Sequence, residues 1–395
     1  MGIALNIKPR WRRRLRRLVT LLTASIILKA VWVWSFHLPA TELSGDRYRS
    51  DVLRRRSYVL QRVYAERLSP DQMPSFLPAQ FRGEWAVGSY SMASTALANI
   101  AFRYPETRAE SIKVLREFIR RMLSLELRQF DTERWGKDAI GDLASDDGHI
   151  GYLGHLGWMM IARRMIGGDS EFDPQLTEIV AALSRRLSRR AGRCLETYPG
   201  EIYPPDNMVV YATLRLYDRL FRTTHSTPVD EWIHFARAEL LDASTGLLPF
   251  WLDTNCRAVG VPRGSGAGWN SIYLPFIDEE LASEQFLAIK KTFLNDGVLP
   301  GIREYPAGRE GPGDVDSGPI LFGLSPSGTG FAVAGAMYSG DYETAARLLL
   351  AAELAGGTLD LQGRRRYLLA PLVGDAILLA TRTAVRWDPR YVAHS

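Results

Sequence analysis

Only two cysteines and six histidines occur in this 395-residue sequence. No CxxC motif and no His/Cys spacing typical of a zinc site is present, so we predict no metal site and no cofactor. Cys194 and Cys256 lie far apart along the chain. They are compatible with a disulfide in an oxidising compartment or with two separately buried thiols, and both interpretations stay open.

A basic surplus is also missing from most of the chain. Of the 49 Lys and Arg residues, eight lie in residues 1–40, which contain no acidic residue, so 41 basic groups face 44 acidic groups in the remainder. Binding to phosphates by counterion release requires a basic face, and we therefore predict no nucleic-acid partner. A hydrophobic content of 46% excludes intrinsic disorder as the overall state.

The N-terminus has the pattern of a membrane anchor. A cluster of six arginines within residues 10–17 precedes residues 18–38, which are apolar apart from Thr, Ser and Lys29. A stretch of this length suffices for a helix to cross the hydrocarbon core. Lys29 costs about 2.5–3.5 kcal/mol at mid-span. Residues 38–40 form a poor cleavage site, which favours an uncleaved anchor over a signal peptide.

These features predict a single-pass protein of the inner, cytoplasmic membrane, with the lipid bilayer as a partner. Residues 1–17 are expected to be a cytoplasmic basic tail, because cationic flanks stay on the cytoplasmic side. Residues 18–38 form the anchor, and everything after it is expected in the periplasm or outside the cell. An oligomer stays possible.

The remainder has helical periodicity, and strand alternation is scarce. We predict a stalk and first helix in residues 39–80, a domain in residues 81–385 and a C-terminal tail in residues 386–395. Helical hairpins of roughly 50 to 60 residues recur, and residues 239–249 resemble residues 293–300. This pattern predicts an all-α domain, an (α/α)6 toroid of six hairpins, with an open solenoid as the alternative architecture.

The Gly- and Asp-rich connections favour the closed ring, since long loops in compact domains usually line a site. The glycine-rich segment 264–268 has neither the preceding strand nor the Lys-Ser/Thr of a phosphate-binding loop, and we interpret it as an ordinary loop before a helix at 269–276.

Polar and aromatic residues cluster in five places where loops are expected to enter inner helices, and a closed ring would place them at similar depth. From these clusters we select candidates for general acid/base chemistry and for substrate binding. The catalytic candidates are His155, Glu201, Tyr203, Asp206 and Asp316. The substrate-binding candidates are Glu84, Trp85, Tyr90, Asp147, His149, Tyr211, Trp269, Asn270, Tyr273 and Asp314.

Several candidates also have structural interpretations. Asp206 is well placed to cap the N-terminus of a helix, and Asp147 is well placed to cap a helix that begins near His149. His149 and His155 are six positions apart and do not share a helix face, so one of them is expected to be structural and not a metal ligand.

Two reaction classes fit such a funnel. A sugar-cleaving enzyme uses one protonated and one ionised carboxyl group, for example Glu201 with Asp316 or Asp147. Tryptophans and tyrosines such as Trp251 would stack on sugar rings. The alternative is proton transfer on a small alcohol or alkene in a site whose apolar wall excludes water.

Two segments carry a family resemblance. The run Tyr-Leu-Gly-His-Leu at 152–156, continuing to Gly168 and Asp169, resembles a helix of the linalool dehydratase/isomerase family, and residues 202–210 are similar to that family's turn into an apolar helix. The resemblance implies an (α/α)6 toroid with His155 in the active site and residues 203–211 facing the substrate.

The sequence departs from this family at one important point. The family enzyme uses two cysteines in this region, and here Tyr203 and Tyr211 stand approximately in their place. The first hypothesis is therefore a membrane-anchored toroid lyase or isomerase acting on an unidentified small molecule. The alternatives are a periplasmic glycan-active hydrolase or lyase and a non-catalytic, ligand-binding component of the cell envelope.

Overall fold

The computed structural model describes residues 9–388. Fourteen α-helices and seven short β-strands occur in this part of the chain. The helices are α1 Pro9–Phe36, α2 Asp46–Val59, α3 Ala79–Arg103, α4 Arg108–Met122, α5 Leu125–Trp135, α6 Ile150–Met165, α7 Asp173–Arg189, α8 Pro204–Phe221, α9 Thr227–Phe235, α10 Gly264–Ile277, α11 Glu279–Phe293, α12 Pro326–Tyr338, α13 Tyr342–Gly356 and α14 Leu372–Arg382. The strands are β1 Trp251–Leu252, β2 Ala258–Val259, β3 Leu294–Asn295, β4 Gly301–Arg303, β5 Leu324–Ser325, β6 Thr358–Leu361 and β7 Arg364–Tyr367.

Twelve of the helices form a closed ring of six hairpins. The inner helices α3, α6, α8, α10, α12 and α14 pack each on the next, and α14 packs on α3, which closes the circle. Each inner helix follows an outer helix: α2, α4, α7, α9, α11 and α13 respectively. The predicted all-α, (α/α)6 toroid is thus confirmed, and the open solenoid is excluded. The strands pair as antiparallel hairpins and one three-stranded sheet in the loops between hairpins.

Helix α1 is not one of the ring helices, and only its C-terminal part contacts them. Among residues 9–388 it is the one helix long and apolar enough to cross a membrane, and only 6% of its most apolar window is buried. A core helix of a soluble protein would be mostly buried, whereas a signal sequence near the N-terminus has the same character.

The glycine-rich segment before Trp269 is helical, and its interpretation as a loop was wrong. A β-carbon on Gly264 would lie 2.0 Å from the carbonyl oxygen of Arg303, and one on Gly268 would lie 2.9 Å from that of Gly328. The glycines therefore permit the backbone of α10 to approach β4 and α12 closely. Close packing outweighs the low helix propensity of glycine here.

Helix α2 is the first outer helix of the ring, and a buried ionic cluster joins it to the last hairpin. Asp51 Oδ1 accepts hydrogen bonds from Arg55 Nε at 3.0 Å and from Arg365 Nη1 at 2.7 Å, and Asp51 also pairs with Arg382 of α14. Asp51 is buried with 1% exposure. Because three guanidinium groups surround this carboxylate, its charge is compensated in the core.

Aromatic side chains fill the ring at the C-terminal half of the inner helices. Trp158 of α6 stacks on Trp387 with ring centres 4.6 Å apart, and Phe276 of α10 lies 5.3 Å from Trp158. Trp387 also donates from Nε1 to Asn99 Oδ1 of α3 at 2.7 Å. The structure differs here from the predicted domain boundary at 385, because Trp387 belongs to the core of the ring. This aromatic cluster fills the interior of the ring at that end.

Cys194 and Cys256 form a disulfide, with Cα atoms 6.2 Å apart. The bond joins the loop before α8 to the β1–β2 hairpin before α10. The sequence left open a disulfide or two separately buried thiols, and the structure contains the disulfide.

Candidate functional site

The N-termini of the six inner helices meet at one end of the ring. We call this end, together with the loops that precede these helices, the mouth. Those loops cover residues 66–78, 136–149, 190–203, 241–263, 294–325 and 357–371. Polar side chains that are far apart in sequence converge there.

Three carboxyl groups at the mouth are close enough to interact electrostatically. Glu84 lies in the second turn of α3, Asp206 in the first turn of α8, and Asp316 in the loop before α12. Burial raises the pKa of Asp206 to about 7, the hydrogen bond from Thr197 opposes the shift, and the charge of Glu84 adds to it. Thr197 Oγ1 donates to Asp206 Oδ2 at 2.7 Å. Asp206 is not the helix cap, since Tyr203 occupies that position.

Asp316 has the same property for additional reasons. Desolvation by the surrounding walls raises its pKa to about 7, and the negative charges of Asp314, Glu84 and Asp206 raise it further. Its side chain is exposed to solvent, whereas those of Glu84 and Asp206 are only partly exposed. Glu84 also has a raised pKa, caused first by burial. The three acids thus influence one another and will not all ionise at neutral pH.

Hydrogen bonds hold Glu84 in place. Gln80 Nε2 donates to Glu84 Oε1 at 3.1 Å, and the Tyr198 hydroxyl donates to the same oxygen. The Arg134 guanidinium lies 4.5 Å from the Tyr198 ring centre and donates to Gln80 Oε1 at 3.3 Å. The same guanidinium forms an ion pair with Glu201. The sequence candidate Glu201 is therefore neutralised by Arg134, a residue of α5 that sequence reasoning did not find.

Aromatic side chains flank these acids. The Tyr203 hydroxyl donates to Glu201 Oε2 at 3.3 Å, and the Tyr203 ring stacks on Trp251 at 6.3 Å. Trp269 donates from Nε1 to the carbonyl oxygen of Pro205 at 3.0 Å. Trp85, on α3 beside Glu84, is partly exposed, as are Tyr203 and Trp269. Flat apolar surfaces beside carboxyl groups suit a ring-shaped polar ligand such as a sugar.

Asp314 positions the loop that carries Asp316. Asp314 Oδ1 accepts backbone hydrogen bonds from Asp316 at 3.1 Å and from Ser317 at 2.9 Å. Its other oxygen accepts from Arg263 at 2.6 Å. Arg263 also pairs with the fully buried Glu304 at 2.6 Å. Asp314 therefore holds the loop in place. The carboxyl group of Asp316, by contrast, has no hydrogen-bond or ion-pair partner among the described side chains.

A second polar layer lies deeper in the lumen. His155 Nδ1 lies 2.8 Å from Ser91 Oγ, and its ring meets the edge of Trp269 at 5.9 Å. Burial lowers the pKa of His155 to about 4, so the ring is neutral at pH 7. Tyr273 packs on Trp269 at 5.8 Å, and neither polar atom of the buried Asn270 has a hydrogen-bond partner among residues 9–388.

Tyr90 and Tyr211 do not face the lumen, which corrects their selection as substrate-binding residues. Tyr90 donates its hydroxyl to the carbonyl oxygen of Leu68 at 2.9 Å and packs on Phe118 of the outer helix α4. Tyr211 donates to the carbonyl oxygen of Arg193 at 2.6 Å and packs on Trp232 of the outer helix α9. Both rings fill the layer between inner and outer helices.

Asp147 and His149 belong to a separate cluster beside α5 and are likewise corrected. His149 Nδ1 lies 2.6 Å from Asp131 Oδ2, and its buried ring packs on Trp135. Asp142, Asp147 and His149 are the kinds of residue that bind metals, and their ligand atoms lie within 4.8 Å of one another. The Lys137 ammonium is 2.8 Å from Asp147, so a cation already faces these acids.

Comparison with known proteins supports the fold. No known family model matches the sequence. An unsaturated glucuronyl hydrolase specific for heparin matches with a TM-score of 0.55 and 13% identity, over 86% of this chain and 96% of that one. An unsaturated glucuronyl hydrolase from Streptococcus agalactiae matches with a TM-score of 0.50 and 12% identity, over 88% and 92% of the two chains. At such identities the likeness establishes the (α/α)6 toroid fold alone.

Proposed function

We propose that this protein is a glycan-active hydrolase held at the outer face of the cytoplasmic membrane. The observation that carries the proposal is the meeting of Glu84, Asp206 and Asp316 at the mouth, among partly exposed aromatic rings. Hydrolysis of a glycosidic bond needs one protonated and one ionised carboxyl group on opposite sides of the bond. The two similar solved structures are glucuronyl hydrolases, which agrees with this chemistry.

Asp206 is assigned as the general acid. It is the more enclosed of the two acids, and a pKa of about 7 keeps it partly protonated at neutral pH. Asp316 is assigned as the base or nucleophile, because its side chain is exposed to solvent, where a water molecule reaches it. When one of these coupled acids holds the proton, the other ionises more easily. Glu84 reinforces this coupling through its negative charge.

The location outside the cytoplasm rests on two features. The six arginines before the apolar stretch favour a cytoplasmic N-terminus, with α1 crossing the bilayer. The Cys194–Cys256 disulfide fits an oxidising compartment, since such bonds are rare in the cytosol.

Hydrolysis assays on the full chain with Asp206→Asn and Asp316→Asn test the proposal. Screening the purified protein against neutral and uronic-acid saccharides identifies a substrate first. Each substitution is then expected to lower kcat by about 100-fold to 10,000-fold, the usual contribution of general acid/base groups.

Asp375→Asn is the matched control for this assay. Asp375 is also buried with a pKa raised to about 7, but it contacts the backbone amide of Tyr367 away from the lumen. The kcat of the Asp375→Asn variant should stay within a few-fold of that of the parent protein. Retained turnover in both mouth variants contradicts the assignment. Saccharide binding without turnover in the parent protein supports instead the non-catalytic, ligand-binding alternative.

A dehydratase or isomerase of the linalool type is the second candidate. His155, which that resemblance places in the site, does lie in the lumen, neutral and next to Trp269. Of the two tyrosines standing near the family's cysteine positions, however, only Tyr203 faces the mouth. This candidate requires that His155→Ala abolish turnover of a small alcohol while Asp316→Asn retains it.

A further inference from the structure

The mouth carries a concentration of exposed apolar side chains. The most prominent come from three of its six loops and are between 59% and 97% exposed. They are Phe76, Val298, Leu321, Phe322, Leu361 and Leu369. The described loops at the opposite end of the ring, residues 104–107, 166–172, 222–226 and 339–341, contain no exposed large hydrophobic residue. Contiguous apolar surface on one face marks an interaction surface.

The path of α1 shows what this surface faces. Residues 39–41 border a cavity with Glu343 and Ala346, near the start of α13 and therefore at the opposite end of the ring. Trp32 donates from Nε1 to the carbonyl oxygen of Thr358 at 2.8 Å, just beyond the mouth end of α13. Helix α1 thus runs antiparallel to α13 and leaves the ring at the mouth. Its exposed N-terminal part projects from that side.

The length of the free part of α1 brings the mouth to the bilayer. The Lys29 ammonium lies beside Gly357, so the projecting segment between Arg17 and Lys29 is about 18 Å long at 1.5 Å per residue. The hydrocarbon core is about 30 Å thick. Because the free segment is shorter than this core, α1 can cross the bilayer only with the loops of the mouth lying against or within the outer leaflet.

Charge at the same place favours contact with lipid headgroups. Strand β7 begins with three consecutive arginines, of which Arg365 is committed to Asp51 and Asp360. Arg364 and Arg366 are partly exposed and pair with no acidic residue among the described ion pairs. Basic residues next to apolar ones are the usual combination for binding anionic bilayers.

We propose that the mouth lies against the membrane and that the substrate is a saccharide carried on a lipid, which enters the lumen from the bilayer. The substrate class rests on the proposed glycan-active function, whereas the orientation does not. A soluble polysaccharide would have to pass between the mouth and the headgroups, while the sugar of a glycolipid is presented directly to the acids.

The orientation is tested with the full chain in anionic nanodiscs that contain a nitroxide-labelled lipid. Single cysteines are introduced as Phe322→Cys and Leu369→Cys at the mouth, and as Thr224→Cys at the opposite end as a matched control. Each is labelled with an environment-sensitive fluorophore. We expect blue-shifted emission and at least two-fold quenching by the lipid at 322 and 369, and neither effect at 224. Equal quenching at all three positions, or quenching at 224 alone, overturns the orientation.

The substrate class is tested with the double variant Phe322→Asp/Leu369→Asp. Turnover of a lipid-linked saccharide should fall at least ten-fold, while turnover of the matching soluble saccharide should not change. Equal loss on both substrates overturns the lipid-borne substrate. A parent protein that cleaves neither substrate refutes the glycan-active function and the substrate class together, and the quenching pattern still decides the orientation.

Discussion

The two halves of the lumen differ sharply although the same six helices build both. At the mouth, carboxyl groups with raised pKa values lie close enough to affect one another. In the other half, the rings of Trp158, Phe276 and Trp387 pack against one another, and the two indoles donate hydrogen bonds to Thr95 and Asn99. A toroid can therefore hold crowded acids at one end because a dry aromatic cluster stabilises the other.

Removing the aromatic cluster should produce the largest change in stability. Trp387→Ala deletes a buried side chain whose indole also bonds Asn99, and we expect a loss of about 3–5 kcal/mol in the free energy of unfolding. Urea denaturation measures it. Turnover of the folded variant should stay close to that of the parent. A fall in kcat as large as that of Asp206→Asn would show that the two halves are not independent.

The pH dependence of stability tests the mouth. An acid whose pKa rises on folding binds its proton more tightly in the folded state, so it stabilises the protein at low pH. That contribution is lost as the pH rises from about 4 to about 7, the range between its ordinary value and the folded value of Asp206. Asp206→Asn should make the unfolding free energy fall less steeply over this range, and an unchanged slope would contradict the raised pKa.

The smallest effect is expected from the tyrosines that face the outer helices. Tyr211→Phe removes one hydrogen bond to Arg193 and should cost about 1 kcal/mol without changing kcat. Tyr203→Phe removes a weaker bond but alters a lumen residue, and should lower turnover more than stability. Paired denaturation and activity measurements separate the two. If Tyr211→Phe lowered turnover more than stability, Tyr211 would again be a candidate substrate-binding residue.

Sequence patterns predicted the ring because its hairpins repeat at regular spacing. They did not show which face of an inner helix meets the lumen. Every residue of α3 from Ser89 to Ala101 is buried, so this part of the helix has no exposed polar stripe to orient it. This is why Tyr90 and Tyr211 were selected together with Glu84 and Asp206.

Arg134 illustrates what local pattern cannot reveal. It lies on α5, a helix outside the repeating hairpins, and reaches the mouth only because α5 packs across the N-terminal part of α3. Its partner Glu201 is 67 positions away. The acidic residues in the predicted loops indicated that carboxyl groups would gather at the mouth. Which of them remain without a basic partner depends on contacts between distant residues, such as Arg134 and Glu201.

The ionic cluster around Asp51 ties the first hairpin of the ring to its last helix, since Arg382 is the final residue of α14. A ribosome releases Asp51 more than three hundred residues before its partner. Until Arg365 and Arg382 have been synthesised, Asp51 has only Arg55 to compensate its charge, and the seam between the first and last hairpins stays open. Closure of the ring therefore depends on the last helix, and the partly folded hairpins are open to misassembly until it is made.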